Sequence, residues 1–205
     1  MTVPLPQKDC IAALRSATYG VGMPRLIHLN GPSRVGKSTL ARRFADEHPG
    51  TLALDLDVLV GLIGGWKQNF SGALDLARSY GRHLATRHLR AGNDVIVPQL
   101  VTVHDRDPDP AFEATARALD AAYIQVALTV EDREHRRRLR SKRPLTEVEA
   151  SVQAMLEDPE TDLVSAIRGH LNEYLDGRPQ TLRLDTTELD EDESYQCLLD
   201  LLAAA

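Results

Sequence analysis

LIHLNGPSRVGKSTLA, residues 26–41, is the stretch from which the rest of the chain can be placed. A short apolar run, Leu26 to Leu29, stops at Asn30. Gly31-Pro32-Ser33-Arg34-Val35-Gly36-Lys37-Ser38 follows, and then Leu40, Ala41, Phe44 and Ala45 recur at helical spacing. This is G-x-x-x-x-G-K-S with a strand before it and a helix after it, the context that gives the pattern its meaning. Gly31 and Gly36 permit backbone angles and a closeness of approach that a β-carbon would block. The amides of the turn, through Ser33, Arg34 and Val35 to Thr39, can then point inward as an anion nest at a helix N-terminus, where the dipole also favours negative charge. Lys37 adds a mobile cation for β- and γ-phosphates, and the Ser38 hydroxyl is placed to ligate Mg²⁺. The stretch predicts a nucleotide-phosphate site.

Outward from this loop, apolar runs alternate with helical patterns. Thr51–Leu56, Asp94–Val97, Tyr123–Val130 and Thr181–Leu184 read as four further strands. Helices are expected over 7–18, from the loop to about His48, and over 58–63, 73–90, 111–121, 131–142, 147–157, 162–176 and 191–204. The helix over 73–90 has an apolar stripe at Leu74, Ala77, Gly81, Leu84, Ala85 and Leu89, the spacing of a core-facing surface. Five strands with helical crossovers predict an α/β domain, a parallel sheet covered on both faces by right-handed connections. In such sheets ligands sit beyond the carboxyl ends of the strands. The residues to inspect are therefore 30–38, 55–57, 98–104, 129–143 and 185–187.

The 205 residues suit one domain, 1–205, with a small helical lid over roughly 133–160. A net charge of −6 argues against general nucleic-acid binding, which needs a basic surface. The two cysteines, Cys10 and Cys197, lack metal-site spacing. No run of about 18 apolar residues and no leader pattern appear, so the expectation is a cytoplasmic protein without a membrane span. There is no N/T-K-x-D base-reading signal of GTPases, and no long apolar strand ends in Asp-Glu as in motor ATPases.

The order of elements, with Asp55-Leu56-Asp57 after strand two and an arginine-rich segment after strand four, resembles the small P-loop kinases. That group includes gluconate and shikimate kinases, zeta toxins and chloramphenicol phosphotransferase. Leu56-Asp57-Val58-Leu59 resembles the V-D-S-L segment of chloramphenicol phosphotransferase. Ile96-Val97-Pro98, Thr102-Val103-His104 and Arg138-Leu139-Arg140-Ser141-Lys142 resemble segments of tunicamycin-resistance proteins. Pro98-Gln99 departs from the pattern, standing where chloramphenicol phosphotransferase-like sequences have Asp-Asp.

The resemblance implies a P-loop NTPase fold and an ATP- or GTP-dependent, Mg²⁺-requiring phosphotransferase acting on a hydroxyl of a small molecule. An antibiotic acceptor, nucleoside-like included, is implied by the closest local matches. The alternatives are a metabolite kinase, a nucleotide-dependent drug-binding protein without turnover, and a toxin-type kinase. Asp57 is the candidate base, or else a helix cap; Asp55 would orient substrate or hold Mg²⁺ through water. Their spacing of two would put both on one face of a continuing strand. Arg138 and Arg140, with Lys142 and Arg143, are the lid residues that would reach nucleotide, unless they form a solvated helix face. Trp66 and Phe70 would wall an acceptor pocket on a movable flap, or fill core. Arg78, Arg82, Gln99 and His104 are further acceptor-site candidates, and the loop carrying Thr186 would pass the base. A monomer or homodimer is expected.

Overall fold

The computed structural model describes residues 22–104, 111–141 and 143–205. The helix expected over 7–18, Cys10, most of the loop at 104–110 and Lys142 lie outside the described residues. Strand β1 (Arg25–Asn30) is central because its side chains are buried on both faces, as a strand in a doubly covered parallel sheet requires. With β2 (Leu52–Ala53), β3 (Val95–Pro98), β4 (Ala122–Thr129) and β5 (Leu182–Asp185) it forms one sheet in the order β2-β3-β1-β4-β5. Every pairing is parallel, and the register sets Ile27 against Ile96 on one side and Ile124 on the other. At the opposite end of the strands, Arg25 and Asp94 fasten β1 to β3. The Arg25 amide and guanidinium both donate to the Asp94 carboxylate, at 2.8 and 2.6 Å.

The helices are α1 (Lys37–Glu47), α2 (Leu56–Gly61), α3 (Phe70–Arg90), α4 (Ala111–Arg117), α5 (Asp132–Ser141), α6 (Glu147–Leu156), α7 (Leu163–Asp176) and α8 (Glu191–Ala203). Alternate β1 residues serve the two faces, as the strand period dictates. Ile27 and Leu29 pack with Leu40 and Phe44 of α1 and Leu198 of α8, whereas Leu26 packs with Ala85 and Leu89 of α3 and Phe112 of α4. β1 lies between β3 and β4, so the chain leaves it for opposite halves of the sheet and a crevice opens beyond its C-terminal end.

Two expectations need correcting. Strand two ends early: after β2 and one further ladder bond (Leu54 N to Ile96 O, 2.8 Å), the Asp55 carboxylate accepts from the Asp57 amide and starts α2 at Leu56. An aspartate that can satisfy a free helix N–H favours a cap over continued strand, so Asp55 and Asp57 do not share a strand face. On α3 the buried stripe is Ala73, Ala77, Gly81, Ala85 and Leu89, and Leu84 is exposed. The small residues let α3 approach closely. A β-carbon on Gly81 would stand 2.5 Å from the Leu56 Cδ2.

Candidate active site

The cleft follows directly from β1. Asn30, fully buried, uses its side-chain oxygen to accept from the Gly31 and Val101 amides at 2.8 and 2.9 Å, and its amide donates to the Val101 carbonyl. One side chain thus ties the start of the phosphate loop to the segment after β3. Gly31 has φ 148°, and a β-carbon there would lie 2.5 Å from the Leu128 carbonyl oxygen. Gly36, at φ 103°, is the N-cap of α1 and starts it without any side-chain cap, leaving the first-turn amides unclaimed by side chains. Such amides are the anion-binding feature of a helix N-terminus.

Lys37 is 9% exposed and donates to the Gly31 and Pro32 carbonyls, both at 2.7 Å. Burial is the main influence on it, pulling its pKa down to about 8 despite the nearby Asp57 and Asp55 carboxylates. A buried ammonium resting on two loop carbonyls suits a polyanion, which would supply the charge those carbonyls lack. Ser38 and Thr39 line the same cleft, of about 360 Å³, with Ser33, Arg34 and Gly36.

Asp57, in the first turn of α2, faces Lys37 across this space. Its residue surface is exposed, yet desolvation by the cleft walls, and after it the Asp55 and Glu149 charges, raise its carboxyl to about 6, while Lys37 pulls the other way. The helix cap is Asp55, so the Asp57 side chain is not used as one. Arg78 of α3, Gln99, Leu100 and Thr102 after β3, and Leu139, Glu149 and Gln153 from α5 and α6 complete the walls. Gln99 is 8% exposed, its amide donates to the Leu29 carbonyl, and its own carbonyl accepts from the ring of His28 at 2.9 Å. His28 is accordingly a satisfied core residue. No group of three or more His, Cys, Asp or Glu that could hold a metal converges among the described residues.

Other candidates lie elsewhere. Arg138 donates to Glu134 at 2.7 Å and to the Thr186 hydroxyl and carbonyl at 3.0 and 2.5 Å, away from the walls of this cleft. Thr186 is 1% exposed and its hydroxyl donates to the Thr129 carbonyl, so it holds the β5 loop to β4. Arg140 and Arg143 are exposed. Arg136 and Arg137 pair with Asp132 and Glu134, making that face of α5 a solvated ion-paired one. Arg82 is half-buried and is not among the cleft walls. His104 is exposed and meets the His170 ring edge-on.

Trp66 is not a flap wall. It is 8% exposed and packs with Val60, Ala73, Ala77 and Val148, with Phe70 edge-on beside it. Because Val148 belongs to α6, Trp66 is the seat of that helix. Lys67 reinforces the seat by pairing with Glu147 at 3.1 Å. Asn30, His135, Glu149 and Gln153 were not singled out by their residue types. Of these only Asn30 left a signal, a polar side chain closing an apolar strand.

A family model described as an AAA domain matches residues 26–160, which contain the loop, Asp57, α5 and α6. The chain belongs to this AAA-domain family. No curated protein sequence matches the AAA-domain chain. Among solved structures it is similar to a proposed kinase from Chloroflexus aurantiacus, with TM-score 0.60 and 17% identity over 90% of this chain and 99% of that one. It is also similar to the tunicamycin resistance protein of Deinococcus radiodurans, with TM-score 0.58 and 18% identity over 88% and 95% of the two chains. The shikimate kinase of Bacteroides thetaiotaomicron gives TM-score 0.56 and 21% identity over 89% and 99%. At these identities the likeness is one of fold, and the fold is that of the small-molecule P-loop kinases. Among the described residues no helix is long and apolar enough to cross a membrane.

Proposed function

We propose that this protein transfers the γ-phosphoryl group of ATP or GTP to a hydroxyl of a small amphipathic molecule. The observation that carries this reading is one cleft holding a buried cation, Lys37, at a glycine-lined loop, with a carboxyl of raised proton affinity, Asp57, facing it. Phosphoryl transfer needs positioning, charge compensation and a place for the acceptor's proton. Lys37 would exchange its two carbonyl partners for β- and γ-phosphate oxygens. Asp57 would take the proton of the acceptor hydroxyl as the new O–P bond forms and the bond from the γ-phosphorus to the bridging oxygen breaks, releasing the nucleoside diphosphate. A carboxyl near 6 is mostly ionised at neutral pH and so is ready to accept that proton. Mg²⁺ would be held by the Ser38 hydroxyl and the phosphate oxygens, with Asp55 close by, and would neutralise charge on the transferring group.

Beside its polar groups the cleft lining carries Leu56, Leu74, Leu100, Val152, Leu156 and Ile167, with Arg78 as a cation on α3. A lining that mixes these apolar side chains with polar ones suits an amphipathic hydroxyl compound, whose apolar body the leucines would cover. We therefore favour an antibiotic, nucleoside-type compounds included, modified in the cytoplasm where nucleoside triphosphates are abundant. The fold likeness to a tunicamycin resistance protein supports this class. One observation favours a second reading, nucleotide-dependent binding without turnover: β3 runs into Gln99 in place of a carboxylate.

Release of diphosphate, measured with Mg-nucleotide against a panel of nucleoside and other antibiotics, gluconate and shikimate, separates the readings. Acceptor-dependent release lost in Asp57→Asn supports transfer. Acceptor binding without release supports the binder.

A further inference from the structure

Arg34 adopts φ 66°, the left-handed region, inside the phosphate loop. A residue with a β-carbon pays for that conformation, and it persists only where surrounding structure over-determines it. Two side chains of α6 meet this arginine. The Arg34 guanidinium donates to the Gln153 side-chain oxygen at 2.9 Å and meets the Glu149 carboxylate at 3.4 Å, and its side chain is 9% exposed. Glu149 is itself held by the Leu145 amide at 2.8 Å.

A second bond reaches the neighbouring loop residue. His135 of α5 is 2% exposed, and its Nε2 lies 2.8 Å from the Ser33 carbonyl oxygen. A carbonyl only accepts, so Nε2 carries the hydrogen, and the buried Nδ1 is left without a hydrogen-bond partner. Gln153 then closes the circuit, since its amide donates to the Leu139 carbonyl of α5 at 3.2 Å. Ser33 is thus held by α5, Arg34 by α6, and the two helices by each other, with Leu139, Leu156 and Val164 packed between them and α7.

We propose that Arg34 is a positioning residue through which the lid helices keep the phosphate loop in its anion-binding shape. Nucleotide affinity then depends on Glu149 and Gln153, which act through Arg34. The dependence is reciprocal: a polyphosphate that fixes the loop also fixes the lid, and so readies the wall of the acceptor cleft. This inference rests on nucleotide binding at the loop and is independent of whether transfer follows.

The test is a cycle of MgADP dissociation constants by titration calorimetry. It compares the parent, Glu149→Met/Gln153→Met, Arg34→Gly, and all three changes combined, each shown to be folded by its thermal melt. The lid pair is expected to weaken MgADP about tenfold, one step of 1.4 kcal/mol. Arg34→Gly, free to adopt positive φ without support, supplies the background in which the changes on α6 have no side chain to act through. In that background the lid changes should alter affinity by less than about twofold, within the additivity error of uncoupled sites. Gln153→Met alone, the milder variant, should weaken binding about threefold in the parent and leave Arg34→Gly unchanged. Equal weakening in both backgrounds, or none in the parent, overturns the inference. A parent that binds no Mg-nucleotide overturns the proposed function as well.

Discussion

Replacing Asp57 with Asn should make the protein more stable and nearly inactive at once. The carboxyl is held at about 6 against an ordinary 3.8. The shift of about 2 units corresponds to at most about 3 kcal/mol disfavouring the ionised folded state. Because Asp57 opens onto solvent at the cleft, screening reduces this to about 1 kcal/mol. The sign follows from linkage. Below pH 3.8 the group is protonated in both folded and unfolded chains, and the Asn form has no advantage. Between there and pH 6 the unfolded chain ionises first, so the parent loses ground, and above pH 6 the deficit is constant. Thermal melts of nucleotide-free, chelator-treated protein should therefore show the Asp57→Asn form and the parent converging toward pH 4 and separating by about 2–4 °C at pH 8. Turnover at pH 8 should fall by about 10²–10⁴, the usual worth of a positioned base. An Asn form that melts below the parent at pH 8, or one that retains turnover, would refute the placement of Asp57 in a desolvated, like-charged cleft as the proton acceptor.

Lys37→Met should abolish Mg-nucleotide binding in calorimetry while leaving the melting temperature at pH 7 unchanged or higher, because burial disfavours the ammonium and holds its pKa at about 8. A lower melting temperature would mean the two loop-carbonyl bonds outweigh that burial. Gly31→Ala forces a β-carbon against the Leu128 carbonyl at positive φ; it should cost about 1–3 kcal/mol of stability in chemical denaturation and weaken nucleotide at least about tenfold. Trp66→Ala opens the cluster that seats α6. It should cost about 3–5 kcal/mol and speed proteolysis around Pro144 to Glu147, with unchanged cleavage refuting Trp66 as the seat.

The central loop was legible because its chemistry is local. Glycines, a lysine and a serine in fixed order, between a strand and a helix, leave little for tertiary context to decide. The five-strand parallel sheet was legible for a similar reason, since buried apolar runs such as Val95–Val97 have few other places to go. What the sequence hid depends on contacts across long separations. Trp66 reads as a flap residue among glycines until Val148, far along the chain, is seen to cover it. Arg138 reads as one more cation in its own stretch, and the two acceptors that Thr186 supplies lie far along the chain. Asp55 and Asp57 were misplaced for a local reason: a capping aspartate and a strand-ending one are the same letter, and the choice turns on whether an amide two residues on needs an acceptor.

The same logic explains why Arg34 carries information that its residue type does not. An arginine in a glycine-bracketed loop reads as one more cation for phosphate. Its positive φ and its ties to Glu149 and Gln153 make it a backbone constraint held by a distant helix. On the proposed coupling the loop's shape would depend partly on α5 and α6, so the side of the cleft proposed to meet the acceptor would help shape the side proposed to meet the nucleotide. A kinase built in this way would gain against idle hydrolysis, because covering the acceptor side would also complete the phosphate site.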